Sequence, residues 1–86
     1  MANRRTLKKE INALVFDIID ECLYLQEHHD DKVHDAEALI EEVVMVYNEL
    51  IERINKGKNK ADFSSVRNEF YEKSELFSEK LNALSV

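Results

Sequence analysis

The sequence predicts an all-α protein folded as an antiparallel up-down-up three-helix bundle, and two observations carry that prediction. The 86 residues include one glycine and no proline, so few positions oblige a helix to end. Apolar residues recur at intervals of three and four along most of the chain, which is the period of an amphipathic helix. A chain of this length is expected to form one domain over residues 1–86.

The first predicted helix covers about residues 6–28. Thr6 is its predicted N-cap, because a threonine hydroxyl can accept a hydrogen bond from a free N–H of the first turn. Cys22 falls on the expected core face, where a buried thiol is inert. The residues expected on that face are Leu7, Ile11, Leu14, Val15, Ile18, Cys22 and Leu25.

The second predicted helix covers about residues 31–56, and Gly57 follows it where a left-handed C-cap is common. Its expected core residues alternate at intervals of three and four. They are Val33, Ala36, Ile40, Val43, Tyr47, Leu50 and Ile54.

The third predicted helix covers about residues 63–84, with Asp62 or Ser64 as its cap. Its apolar stripe is narrow enough for two neighbouring helices to cover it. The stripe contains Phe63, Val66, Phe70, Phe77, Leu81 and Leu84.

The connection between the first two helices allows an alternative, because residues 26–32 are polar but include no obligate helix breaker. One continuous helix over 6–56 would then replace the hairpin. Heptad spacing from Leu25, however, places core positions at 28, 32 and 35, whereas the apolar residues are Val33 and Ala36. This change of phase favours the hairpin.

Composition excludes several classes of protein. One glycine cannot supply a glycine-rich phosphate loop, and one cysteine cannot form an intramolecular disulfide. The longest apolar runs, 13–16 and 43–47, are far shorter than the roughly 20 residues that cross a bilayer. No catalytic triad or cofactor motif is present, so we expect an acidic, cytoplasmic, non-enzymatic protein without a cofactor or membrane segment.

The first helix carries more apolar surface than a three-helix bundle covers. Phe16, Ile19 and Leu23 extend its core face far around the helix. Long neighbouring side chains such as Lys9 and Glu27 could lie over this stripe. The alternative that we favour is a partner, either a second copy in a homodimer or another helical protein. The sequence therefore predicts a protein-protein interaction or scaffolding module.

Charge is segregated along the chain: residues 1–12 and 53–60 are net positive, whereas 13–52 are net negative. In an up-down-up bundle the start of the first helix and the second connection lie at one end. That basic end is a candidate anion-binding site, although no aromatic residue is placed to stack a base, so nucleic acid is not favoured. Its cations are Arg4, Arg5, Lys8, Lys9, Arg53, Lys56, Lys58 and Lys60.

All three histidines lie close together, near aspartates at the predicted first turn. His28, His29, Asp31 and His34 are the candidate metal ligands, because imidazole and carboxylate bind divalent cations. A helix places only two of them on one face, whereas a tight site needs three or four ligands. A solvated turn is therefore the favoured interpretation, with metal binding as the alternative.

Overall fold

The structure is a computed structural model that describes residues 4–85. Its elements are α1 (Arg4–His28), a 3-10 turn (Asp30–Lys32), α2 (Val33–Lys56) and α3 (Lys60–Ser85). No strand occurs in this part of the chain. The three helices form a rod of about 45 × 17 × 17 Å, so the prediction of an all-α three-helix protein is confirmed.

The hairpin between α1 and α2 is confirmed over the continuous helix. His29 leaves the helical conformation, with φ −138° and ψ 93°, although its N–H still donates to Leu25 O at 2.8 Å. The side chain of Gln26 crosses the turn and donates to Val33 O at 3.2 Å. The break therefore lies where the apolar stripe changes phase.

The prediction of a left-handed Gly57 is wrong. Gly57 has φ −66° and ψ 143°, an extended conformation open to any residue. It is buried, and a Cβ added there would stand 3.0 Å from Phe63 Cε1 and 3.3 Å from Arg53 O. The close approach of Phe63, and not the backbone angle, explains the glycine.

The predicted helix caps are also wrong. Thr6 lies inside α1, which already includes Arg4. The helix α3 starts at Lys60 instead of residue 63, because Asn59 caps it: Asn59 Oδ1 accepts the Asp62 N–H at 3.0 Å. Asp62 in turn accepts the Lys58 N–H at 2.9 Å. Asp62 and Ser64 thus belong to the helix itself.

The core runs along the axis of the rod and is apolar throughout the described residues. On α2 the prediction omitted Leu39, which is 4% exposed, whereas Val33, Ile40 and Tyr47 are only half-buried. Those three are spaced by seven. On a straight α-helix each seven-residue repeat shifts by about 20° around the axis, so such a series does not stay at the centre of one buried face. The buried residues are Leu7, Ile11, Val15, Ile18, Cys22, Leu25, Ala36, Leu39, Val43, Leu50, Ile54, Val66, Phe70 and Phe77.

Candidate functional site: an apolar face on the first two helices

Two hydrogen bonds identify the edges along which α1 and α2 meet. Lys8 Nζ donates to Asn55 Oδ1 at one end of the pair, and Gln26 donates to Val33 O at the other. Ile19 is eleven residues after Lys8 and seven before Gln26, spacings that return to the same side of an α-helix. Ile19 therefore lies on the edge of α1 that faces α2.

The same spacing places Val44 on α2. Val44 is eleven residues from both Val33 and Asn55, so it lies on the edge of α2 that faces α1. Because the two helices are antiparallel, Val44 lies across from the turn of α1 that contains Phe16 and Ile19. We call the surface formed by Phe16, Ile19, Leu23 and Val44 the α1–α2 face.

Much of the α1–α2 face is open to solvent. Phe16 is 59% exposed, Leu23 50% and Val44 39%. Neighbouring side chains such as Lys9 and Glu27 therefore leave Phe16 and Leu23 at least half-exposed. Ile19 differs from the prediction, since it is half-buried and packs against the core. It forms the floor of the face, because it lies where α1 meets α2.

The sequence pattern alone does not place Val44 on this face. The available signal was its eleven-residue spacing from Val33 and Asn55, which becomes informative only when the partner edge is known. Other exposed apolar side chains lie elsewhere on the three helices: Tyr24, Met45, Tyr71 and Leu76.

The structure places the start of α1 beside the α2–α3 connection, as the bundle topology requires. Arg4 donates to Gly57 O at 3.0 Å, and its guanidinium carbon lies 5.8 Å from the centre of the Phe63 ring. Lys8 is bonded to Asn55. Two candidate anion-binding residues, Arg4 and Lys8, are therefore bonded to the last turn of α2 or to the residue that follows it.

Two further candidate anion-binding residues, Arg53 and Lys56, form ion pairs with carboxylates of the same chain. Arg53 pairs with Glu69 and donates to Ser65 Oγ at 3.1 Å. Lys56 pairs with Glu52 at 2.7 Å, and this hydrogen bond and charge lower the pKa of Glu52. An open groove of about 240 Å³ between α2 and α3 is lined by Arg53, Lys56, Gly57, Asp62, Ser65 and Val66.

Four cations of the basic end remain available. The side chains of Arg5, Lys9, Lys58 and Lys60 are exposed and make no ion pair or hydrogen bond within residues 4–85. Arg5 and Lys9 project from α1, and Lys58 and Lys60 belong to the α2–α3 connection and the start of α3. An anionic partner would contact these four side chains and also Lys56, whose exposed pair with Glu52 leaves it 75% accessible.

The histidines lie at the opposite end of the rod. The His28 ring packs against the Tyr24 ring in a tilted arrangement, with ring centres 4.3 Å apart. His29 forms the break after α1, and His34 is exposed in the first turn of α2. Within the described part of the chain, no three His, Cys, Asp or Glu side chains are grouped closely enough to hold a metal ion. The candidates His28, His29, Asp31 and His34 are therefore not brought together as one ligand set.

Cys22 is free and fully buried in the core face of α1. Burial raises the pKa of its thiol, and the neighbouring carboxylate of Glu21 raises the pKa further. Because the thiolate is the nucleophilic form, both effects oppose reactivity.

Comparison with known proteins gives no relative: no family model, curated protein or solved structure matches the chain. Among residues 4–85, none of the helices combines the length and the hydropathy that crossing a bilayer requires. Evidence for a role therefore comes from the surface of the molecule.

Proposed function

We propose that this protein is a non-enzymatic, cytoplasmic interaction or scaffolding module that self-associates through the α1–α2 face. The observation that carries the proposal is the exposure of Phe16 and Leu23, 59% and 50%, beside Val44 on the adjoining helix. Contiguous exposed apolar side chains on a small protein are typical of interaction surfaces.

The expected gain from covering this face is substantial for a protein of this size. Full burial of a leucine or phenylalanine side chain contributes about 1.5–3 kcal/mol. Because Phe16 and Leu23 are each about half-exposed, a dimer that covers both on each subunit gains several kcal/mol before the entropy of association is subtracted.

The shape of the face suits a helical partner. α1 has 25 residues, so at about 1.5 Å per residue it presents a straight ridge nearly as long as the rod. A helix from another subunit can lie along this ridge and cover Phe16 and Leu23 with its own apolar side chains.

Sedimentation equilibrium of the natural chain and of Phe16→Glu with Leu23→Glu tests the proposal. We expect a dimer for the natural chain and a folded, helical monomer for the variant. The matched control is Met45→Glu with Tyr71→Glu, because both residues are exposed and lie outside the α1–α2 face; it should remain dimeric. A natural chain that stays monomeric at high concentration would contradict self-association.

A second candidate function is the binding of an anionic partner at the basic end. It is favoured by the four unpaired cations Arg5, Lys9, Lys58 and Lys60. Phosphate-backbone binding predicts retention on heparin or nucleic acid that falls with salt and is lost when Lys58 and Lys60 are changed to glutamine. Retention that is insensitive to salt would exclude this candidate.

A further inference from the structure

We propose that the partner on the α1–α2 face is a second copy of this chain in the opposite orientation, with the basic end of each bundle beside the acidic end of the other. This inference rests on the proposed function and adds to it the identity and the direction of the partner. Charge complementarity along α1 supports the inference.

The α1–α2 face lies between two groups of unpaired charges. Arg5 and Lys9 precede Phe16, and Glu27 and Asp30 follow Leu23. All four charged side chains are exposed, and none makes an ion pair or hydrogen bond within the described residues. Cations thus lie at one end of the face and acids at the other, with the exposed Asp20 between Phe16 and Leu23 on α1.

Two symmetric dimers can cover such a face. With the twofold axis parallel to the helices, both bundles point the same way, and Lys9 and Arg5 lie at the same end as the same cations of the partner subunit. With the axis perpendicular to the helices, the bundles point in opposite directions, and cations of each subunit meet acids of the other.

The two charged ends of the face are far enough apart to act independently. Lys9 and Glu27 are eighteen residues apart, about 27 Å along an α-helix, whereas charges in physiological salt are screened over about 8 Å. Each charged group therefore responds to what lies directly opposite it. A twofold axis near Ile19 places Lys9 close to Glu27 and Asp30 of the partner subunit.

The apolar residues fit the same arrangement. A perpendicular axis near Ile19 brings Phe16 of one subunit alongside the turn that contains Leu23 of the partner subunit. Exposed ion pairs contribute little to affinity individually, so we expect the apolar contacts to supply the stability of the dimer. The charges then determine its direction.

Charge reversal distinguishes the two orientations. One variant is Arg5→Glu with Lys9→Glu, a second is Glu27→Lys with Asp30→Lys, and a third combines all four changes. In the opposed dimer each half-reversal sets like charges against each other at both ends of the interface, whereas the combined variant restores every pair. In the dimer whose bundles point the same way, each charged group faces its own copy, so none of the three variants places opposite charges against each other.

We expect each half-reversed chain to dissociate about tenfold more readily than the natural chain, from four altered exposed contacts in each dimer. The combined variant should return to the natural dissociation constant. Raising the salt concentration should weaken the natural dimer and strengthen the half-reversed ones. A matched control is Glu72→Lys with Glu79→Lys on α3, which makes the same change of net charge as the second variant and should not weaken the dimer.

Circular dichroism establishes that each variant is folded before its mass is interpreted. The reversals on α1 add acids near its start and a lysine near its end, which the helix dipole favours. Asp30→Lys has the opposite effect, because it removes an acid from the first turn of the segment that leads into α2. A dimer that Phe16→Glu with Leu23→Glu dissociates, but that half-reversal leaves unchanged, would overturn the orientation and leave the proposed function intact. A natural chain that is monomeric would overturn both.

Discussion

The ring of Phe63 lies against Gly57 so closely that a Cβ on Gly57 would stand 3.0 Å from Phe63 Cε1. This contact joins the end of α2 to the first turn of α3. Because the glycine has an ordinary negative φ, its role is to leave space and not to adopt a special backbone conformation.

Gly57→Ala should therefore destabilise the fold by about 1 kcal/mol, as crowding of a packed contact outweighs the lower entropy of the unfolded chain. Urea unfolding followed by circular dichroism measures the change. In a Phe63→Leu background the same substitution should cost less. If Gly57→Ala stabilises the natural chain, the ring is free to move and the explanation is wrong.

Asn59 is expected to determine where α3 begins. Asn59→Ala removes the acceptor of the Asp62 N–H and should lower the free energy of unfolding by about 1 kcal/mol. Asn59→Ser should keep most of the stability, because serine is also a good N-cap. Ser64→Ala is the matched comparison, since Ser64 is exposed inside the helix, and we expect a change below about 0.5 kcal/mol. Equal losses at the two positions would contradict the cap.

Leu39 and Ile40 are adjacent residues of α2 with different environments, 4% exposed and half-buried respectively. Leu39→Ala should cost about 2–5 kcal/mol, because it leaves a cavity in the core. Ile40→Ala should cost clearly less. Thermal and urea unfolding of the two variants make the comparison, and the opposite order would mean that α2 is rotated relative to the structure.

Cys22 should be protected in the native state, because burial and then Glu21 raise the pKa of its thiol. A thiol reagent should label it only as fast as the chain opens, and mild urea should accelerate labelling. Rapid labelling of the folded chain, without dependence on urea, would contradict its burial.

The same shift predicts a pH dependence of stability. As pH rises past the ordinary thiol pKa of 9.0, the unfolded chain releases a proton that the folded chain keeps, so the free energy of unfolding falls until the raised folded-state pKa is also passed. Cys22→Ala removes this contribution, and its stability should decline less steeply from pH 8 to 10.5. Parallel pH profiles for the two proteins would exclude the effect.

Zinc and nickel should leave the melting temperature unchanged, because the described residues contain no group of three ligand side chains. A metal that binds the folded state would raise it by mass action. A rise that His34→Ala abolishes would instead support a metal site formed with His28, His29 or Asp31.

Much of the fold follows from the regular spacing of apolar residues along each helix. The stripe of Leu7, Ile11, Ile18, Cys22 and Leu25 is buried as expected, because its spacing identifies one side of a helix whatever packs there. The hairpin was predictable for a related reason: the apolar phase changes between Leu25 and Val33, and one straight helix cannot bury both stripes.

The predicted cap of α3 was wrong because three polar residues near its start can each cap a helix. Asn59, Asp62 and Ser64 are all residues that cap helices, and propensity does not rank them. In the structure the Asp62 carboxylate accepts from the Lys58 N–H while the Asp62 N–H donates to Asn59. This pair of bonds forms only after the chain has turned.

The sequence by itself determined that the chain is helical and that it has two breaks between helices. It also determined that Phe16 and Leu23 make the apolar surface of the first helix wider than two neighbouring helices cover. Tertiary structure decided that Ile19 becomes the floor of the α1–α2 face and that Val44 joins it. It also decided that Arg4, Lys8 and Arg53 are bonded to other elements of the bundle while Arg5 and Lys9 are not. The physical reason is that periodicity along one helix reports which side is apolar, whereas the edge that meets a neighbour depends on the register between helices. Contacts such as Lys8 with Asn55, 47 residues apart in the chain, reveal that register only in the folded structure.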